Sequence, residues 1–415
     1  MIAFWLYLCF VVSWFLHLGT RVPPLGAIRF DLLLVLVIGV LAFATRSSSK
    51  RSQPLSATSW ALIALTAYCV VTIPLVQWPG SVIRYGLEAY VKAVVFFFFT
   101  VRLVTTERRL RWLLLVFVAC QSFRVLEPLY LHVTTGYWGD SASMEGGQEF
   151  MDRLAGAPGD IINPNGLAFV ILTVICFAHY LWTSRWLGRI VYAVLVPLLL
   201  YALVLTGSRS GVLTLGIVFV AVWLKSRRRA LLAIAAIAAI AWAVPRLSSD
   251  LSDRYRSIFD TATKNSATAQ GRIEGVKANL QVVLRRPLFG HGLGTSREAN
   301  GNFGATDQLA HNLYAEVAQE LGFLGLGVFL VFLWSVGRDL WTHQRHWRVA
   351  PGAPTVARVG DAVQVFMVMN LVFSFASYGL TRYEWYLLAG LTDVLTRLAN
   401  QSAQVGPEGA ASTDF

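Results

Sequence analysis

Charge is scarce in this chain of 415 residues: Lys, Arg, Asp and Glu make up 14%, against 56% hydrophobic residues. So few charges cannot cover a soluble fold of this length, and the class indicated is a polytopic helical membrane protein. Cysteine is also rare. Cys9, Cys69, Cys120 and Cys176 all lie in apolar stretches, so they read as small core residues and no disulfide is expected. The sequence has no GxxxxGK[ST] loop and no HxxxH or HExxH spacing. Nucleotide-driven chemistry and metal catalysis therefore lack support, and neither a metal nor a cofactor is expected. The start, MIAFWLYLCFVVSWFLHLG, lacks a basic n-region and a small-residue cleavage site, and it reads as a retained first span.

What is abundant is apolar sequence in windows of about 20 residues. Windows fall at 2–19, 27–45, 56–76, 87–101, 112–133, 163–182, 187–205, 210–224, 229–245, 312–336, 361–378 and 383–399. The fold class expected is all-α, with about twelve transmembrane helices. The net charge of +12 sits in short clusters between these windows, such as Arg46, Lys50 and Arg51, or Lys225, Arg227, Arg228 and Arg229. Every even-numbered loop is basic, whereas loop 135–162 carries Asp140, Glu145, Glu149, Asp152 and Asp160. The positive-inside rule then places both termini in the cytoplasm and the odd loops outside, and the charge calls for no nucleic acid. The domain organisation expected is spans one to nine in 1–245, a small helical periplasmic segment in 246–311, spans ten to twelve in 312–399, and a disordered cytoplasmic tail in 400–415. Within the periplasmic segment, GRIEGVKANLQVVLRRP reads as an amphipathic helix with Ile273, Val276, Leu280 and Val283 on one stripe and Pro287 ending it. The glycines of PLFGHGLGTSREANGNFG indicate tight backbone.

Four polar features share the outer face in this topology. TGSRSG at 206–211 puts Arg209 in a tight link, where it either snorkels to headgroups or points into a protein-lined cavity. Ser208 and Ser210 beside it let backbone N–H groups join the guanidinium around an anion. Arg272 opens the amphipathic helix, and its fork suits phosphate. His311 and Asn312 stand at the mouth of span ten, followed by Tyr314 and Glu316. A neutral imidazole there accepts a proton from a hydroxyl, although a lone His is more often structural. Arg382 lies in the turn between the last two spans, and Asn163 and Asn165 of NPNG enter span six with amides that suit hydroxyl-rich material. Several arginines and a base around one outward cavity fit a reaction on a diphosphate-linked, lipid-anchored substrate, whose leaving charge the arginines stabilise.

NPNG at 163–166, TGSRSG at 206–211, GRIEG at 271–275, PLFGHGLG at 287–294 and HNLYAEVAQELGFLGL at 311–326 occur in this order. The combination resembles the bacterial O-antigen ligase and O-antigen polymerase superfamily over roughly the second half of the chain. The resemblance implies a GT-C-like inner-membrane glycosyltransferase with a periplasmic active site, metal-independent and inverting. It implies His311 as base, with Arg209 and Arg272 as the family arginines. A ligase would take O-antigen from undecaprenyl diphosphate to a sugar hydroxyl of lipid A-core oligosaccharide, acting as a monomer among membrane lipids. A polymerase would use a second undecaprenyl-linked glycan as acceptor, and a protein O-oligosaccharyltransferase a protein. A transporter, the non-enzymatic alternative, would show two related halves or broken central helices.

Overall fold

The structure is a computed structural model. It describes residues 1–44, 55–139, 152–160, 162–182, 186–226, 228–243, 249–256, 266–304, 311–344, 354–377 and 379–404. Among them every regular element is a helix. Twelve are largely apolar: α1 (Ile2–Leu16), α2 (Phe30–Ala44), α3 (Ala57–Val71), α4 (Leu87–Leu103), α5 (Glu107–Thr135), α6 (Pro164–Trp182), α7 (Trp186–Leu205), α8 (Arg209–Lys225), α9 (Arg229–Ala243), α13 (Leu313–Thr342), α14 (Pro354–Phe373) and α15 (Tyr383–Gln404). Each apolar window of the sequence falls on one of them. Between α9 and α13 lie the polar helices α10 (Ser249–Arg256), α11 (Ser266–Arg285) and α12 (Ser296–Phe303). Five helices (α5, α6, α7, α13, and a stretch, Thr355–Ala376, that begins in α14) are long and apolar enough to cross a membrane. The architecture is that of an all-α, multi-pass membrane protein.

The chain forms two compact units. The first holds Met1–Leu8, Leu34–Leu113 and Arg272–Phe415. In it α15 packs along α4, and α13 along α3. Polar staples fix these apolar faces in register. The Thr58 hydroxyl and N–H donate to Asp339 Oδ2 at 2.8 and 3.2 Å. Arg397 donates to the carbonyls of Val101 and Val104 at 2.9 and 2.5 Å. These carbonyls at the end of α4 have no partner within their own helix.

Helix α13 is broken at Gly322, where φ is 69°, and residues 287–294 lie against the break. The Phe323 N–H donates to Pro287 O at 2.7 Å, and the N–H groups of His291 and Gly292 donate to Gln319 O and Glu320 O at 2.8 and 2.9 Å. Gly290 has φ +72°, and a Cβ there would stand 2.4 Å from Glu320 O. The tight backbone expected of this glycine-rich stretch is thus a close pairing of two main chains.

The amphipathic helix is longer than its sequence pattern. It starts earlier, at Ser266, and the side it turns inward carries Asn279, Val282 and Val283, while Val276 and Leu280 are exposed. The inward side is chosen by polar bonds as well as apolar burial: Asn279 Oδ1 accepts from Gln319, and Val282 O lies 3.0 Å from His291 Nε2. The side chain of Ile273 lies outside the described residues.

The second unit holds Cys9–Leu33 and Leu114–Gly271. Its centre is α6, in which every residue from Leu167 to Ala178 is buried, as suits a helix apolar all round. Helices α7 and α8 pack on it. Gly211 permits the close approach, since a Cβ there would come within 2.8 Å of Ala168 Cβ. A buried bidentate ion pair ties α5 to the chain before α6: Arg124 donates to Asp160 at 2.6 and 3.0 Å.

Three of the four cysteines are buried as expected, but Cys9 is exposed, because α1 turns that side outward. Residues 400–404 continue α15, and the remainder of the expected tail, 405–415, lies outside the described residues, as do Glu145, Glu149 and Tyr378.

Candidate functional site

The residues singled out by sequence fall into two groups, one in each unit. In the second unit the link TGSRSG turns from α7 into α8. Gly207 supplies the left-handed conformation of the turn, φ +56°, and Ser208 caps α8 by accepting from Gly211 N at 3.2 Å. Asn165 Oδ1 accepts from Ser208 Oγ at 2.9 Å and from Arg153 Nη2 at 3.0 Å, and Ser210 Oγ lies 3.2 Å from Ser208 Oγ. Asn165, Ser208 and Ser210 are therefore one hydrogen-bonded group, and Arg209 follows Ser208 as the first residue of α8. Asn163 serves α6 instead, its Oδ1 accepting from Gly166 N at 2.8 Å.

Two further arginines close on this turn. Arg153 Nε donates to Thr206 O at 2.8 Å, and Arg254 Nε, from α10, donates to Gly207 O at 2.6 Å. A Cβ on Gly207 would meet Arg254 Nε at 3.3 Å and Arg153 Nε at 3.4 Å, so the two side chains pack on this α-carbon. Arg153, Arg254 and Arg209 are each no more than 8% exposed. Tyr255 completes the group by donating to Val204 O at 3.0 Å. Burial pushes its phenol up to about 12, with Arg153 and Arg254 pulling in the opposite direction. Three buried arginines beside a helix N-terminus bring guanidinium donors to this turn, a chemistry that suits an anion. Among the described residues no three His, Cys, Asp or Glu side chains group as metal ligands.

In the first unit, His311 is exposed and immediately precedes the cap of α13. Asn312 Oδ1 accepts from Tyr314 N and Ala315 N at 3.0 and 3.1 Å, and its amide donates to Phe375 O at 3.3 Å. Tyr314 donates to Leu371 O at 3.1 Å. The buried Glu316 carboxylate accepts from Gly379 N at 2.6 Å. Gly379 in turn accepts from Arg382 N at 3.1 Å, and Arg382 pairs with Glu384 at 3.0 Å. Hence the start of α13 and the 379–384 turn form one cluster, with Asn312 and Glu316 as its backbone anchors. Arg272 falls on α11, and its side chain lies outside the described residues.

Glu320 has a related task. Its two carboxylate oxygens accept from Gly294 N at 2.8 Å and Ser296 N at 3.2 Å. The buried His291 ring stacks on Trp78 and has Gln77 Oε1 at 2.7 Å from Nδ1 and Val282 O at 3.0 Å from Nε2. Burial, with Arg285 and Arg286 nearby, lowers its pKa.

Comparison with known families decides what this arrangement resembles. Residues 193–330 match the Wzy_C family, O-antigen ligase. The matched stretch covers about a third of the chain and contains TGSRSG, Arg254, Arg272, the PLFGHGLG loop and the start of α13 from His311. Asn163, Asn165, Arg153 and Arg382 lie outside it. No curated protein matches the chain. The Wzy_C match is consistent with a glycan-transfer enzyme.

Sequence reading passed over Arg153 and Arg254. A usable signal for Arg254 existed in the pattern SDLSDRYR, where a short polar helix presents an arginine beside a tyrosine, but no motif spacing links it to residue 207.

Proposed function

We propose that this protein is an O-antigen ligase that transfers a completed glycan from undecaprenyl diphosphate to a sugar hydroxyl of lipid A-core oligosaccharide. The observation that carries the reading is the packing of buried Arg153 and Arg254 on the turn at Gly207, two residues before the buried Arg209 and partly inside the Wzy_C match. Guanidinium groups gathered beside a helix N-terminus suit an anionic ligand. A diphosphate is an anion of suitable charge and fork-compatible geometry.

In the reaction, the acceptor hydroxyl oxygen attacks the anomeric carbon of the donor sugar. The bond from that carbon to the diphosphate oxygen breaks, and undecaprenyl diphosphate leaves with the electron pair and the added negative charge. Arginine donors stabilise that charge as it develops. His311 takes the hydroxyl proton as general base, and attack opposite the leaving group inverts the anomeric centre. Arg272 and Arg382 are assigned to phosphate and glycan contacts. The topology that goes with this reading is twelve spans in the inner membrane, both termini cytoplasmic and the chemistry on the periplasmic side.

The test is reconstitution of the full chain with undecaprenyl-diphosphate glycan, supplying lipid A-core, a second donor molecule or a protein acceptor in turn. Glycosylated lipid A-core is the expected product. Elongation of the second donor would make the protein a polymerase, and product with none would refute glycan transfer. His311→Ala is expected to abolish transfer with the fold intact, whereas normal attachment of O-antigen in that variant would remove His311 from the mechanism. Arg209→Lys should also fail although charge is kept, because the planar fork is lost.

A further inference from the structure

Helix α11 carries an apolar row on the side it does not bury. Val276, Leu280 and Leu284 recur every fourth residue, Leu288 follows just beyond the helix, and all four are 42 to 60% exposed. Exposed Lys277 flanks the row, and exposed Arg285 and Arg286 stand at its end. An amphipathic helix of this composition is one that lies in a membrane interface, leucines in the acyl boundary and cations at the headgroups.

The position of α11 along α13 supplies a second, independent argument. Helix α13 has 30 residues and would be about 45 Å long if straight, whereas the hydrocarbon core is about 30 Å thick. Its first part, Leu313 to Leu321, buries Glu316, Gln319 and Glu320. After the break at Gly322 the character changes: Phe323, Leu324, Leu330, Val331 and Trp334 are exposed apolar side chains, and no charge appears before Arg338. The stretch after the break, Phe323 to Thr342, has the length that about 20 helical residues need to cross the core. The exposed apolar surface of α13 therefore begins just after Gly322. The C-terminal end of α11 is fixed at that same level, because Phe323 N donates to Pro287 O at 2.7 Å and a Cβ on Gly322 would stand 2.2 Å from Leu288 O.

We infer that α11 lies on the bilayer surface, its Val276, Leu280, Leu284 and Leu288 row in the lipid interface and Lys277, Arg285 and Arg286 on anionic headgroups. Gly322 marks the edge of the hydrocarbon. The segment 311–321 then stands above that edge, at the level of lipid phosphates. This inference does not depend on the reaction proposed above.

The experiment uses the full chain in proteoliposomes containing phosphatidylglycerol, with Cys9→Ser removing the one exposed native thiol among the described residues. Single Leu280→Cys, Leu284→Cys and Glu274→Cys variants carry an environment-sensitive fluorophore. The expected result is blue-shifted emission at 280 and 284, with quenching by shallow nitroxide-labelled lipid at least twofold stronger than at 274. Equal iodide quenching at all three sites would overturn the proposal, since the row would then face water. Blue-shifted emission without lipid quenching would overturn it too, because protein would then cover the row. Val276→Cys, an exposed site with a smaller volume change, provides the same readout if a leucine variant fails to fold.

Discussion

Arg254→Lys tests the proposed donor subsite most directly. Arginine and lysine share their first three side-chain carbons, and the Nε of arginine is replaced by the Cε methylene of lysine. The donor now 2.6 Å from Gly207 O thus becomes a CH2 group, and a buried carbonyl loses its partner while the positive charge stays nearby. Leaving such a group unsatisfied costs roughly 1 to 3 kcal/mol. That cost falls on the turn that leads into Arg209, because Gly207 and Arg209 are two residues apart. If the full cost appears in the transition state, kcat/KM falls roughly five- to 150-fold at about 1.4 kcal/mol per decade. The assay is initial-rate glycan transfer in proteoliposomes across donor concentrations, with thermal unfolding measured in parallel. Tyr255→Phe is the control: it removes the neighbouring bond to Val204 O, and it should lower stability by about 1 kcal/mol without changing kcat/KM. If Arg254→Lys keeps kcat/KM within twofold, or Tyr255→Phe impairs transfer as much, the arginine has only a structural role and the reasoning is refuted.

Glu320→Ala removes both acceptors of the Gly294 and Ser296 N–H groups and should loosen the 287–296 loop by roughly 2 kcal/mol, read as faster limited proteolysis there. The pKa of His291 is lowered from 6.5 by burial, so docking of its loop favours the neutral ring. As pH falls below about 6.5, the undocked ring gains a proton that the docked ring does not accept, and docking weakens. Above that pH both forms are neutral and no dependence remains. Hydrogen exchange at residues 287–294 between about pH 5 and 8 should show this acid-side loss of protection, and His291→Gln should abolish the pH dependence.

Much of the fold was legible because a bilayer imposes a length and a polarity on every span. Each of the twelve apolar windows falls on a helix, with ends mostly within a few residues, since the same apolar runs that fill a window also terminate at Gly, Pro or charged clusters. Short-range chemistry was legible in part. Ser208 and Asn312, read from the sequence as substrate contacts, are the caps of α8 and α13. The amphipathic reading of α11 found the element and its stripe, but only the fold shows that Val283 of that stripe is buried while Val276 and Leu280 stay exposed, because periodicity cannot say which residues meet protein.

By itself the sequence determined the helical, membrane-spanning class, the position of the helices along the chain, and the polar motifs at 206–211 and 311–316, because each depends on residues close together in the chain. Only the tertiary structure decided that Arg153 and Arg254, 54 residues before and 47 after Gly207, close on that one turn. It also decided that Glu316 and Glu320 anchor main-chain turns, and that a glycine break in α13 receives the 287–294 loop. Those pairings are set by which buried donors and carbonyls find one another once the helices pack, and no local spacing in the chain encodes them.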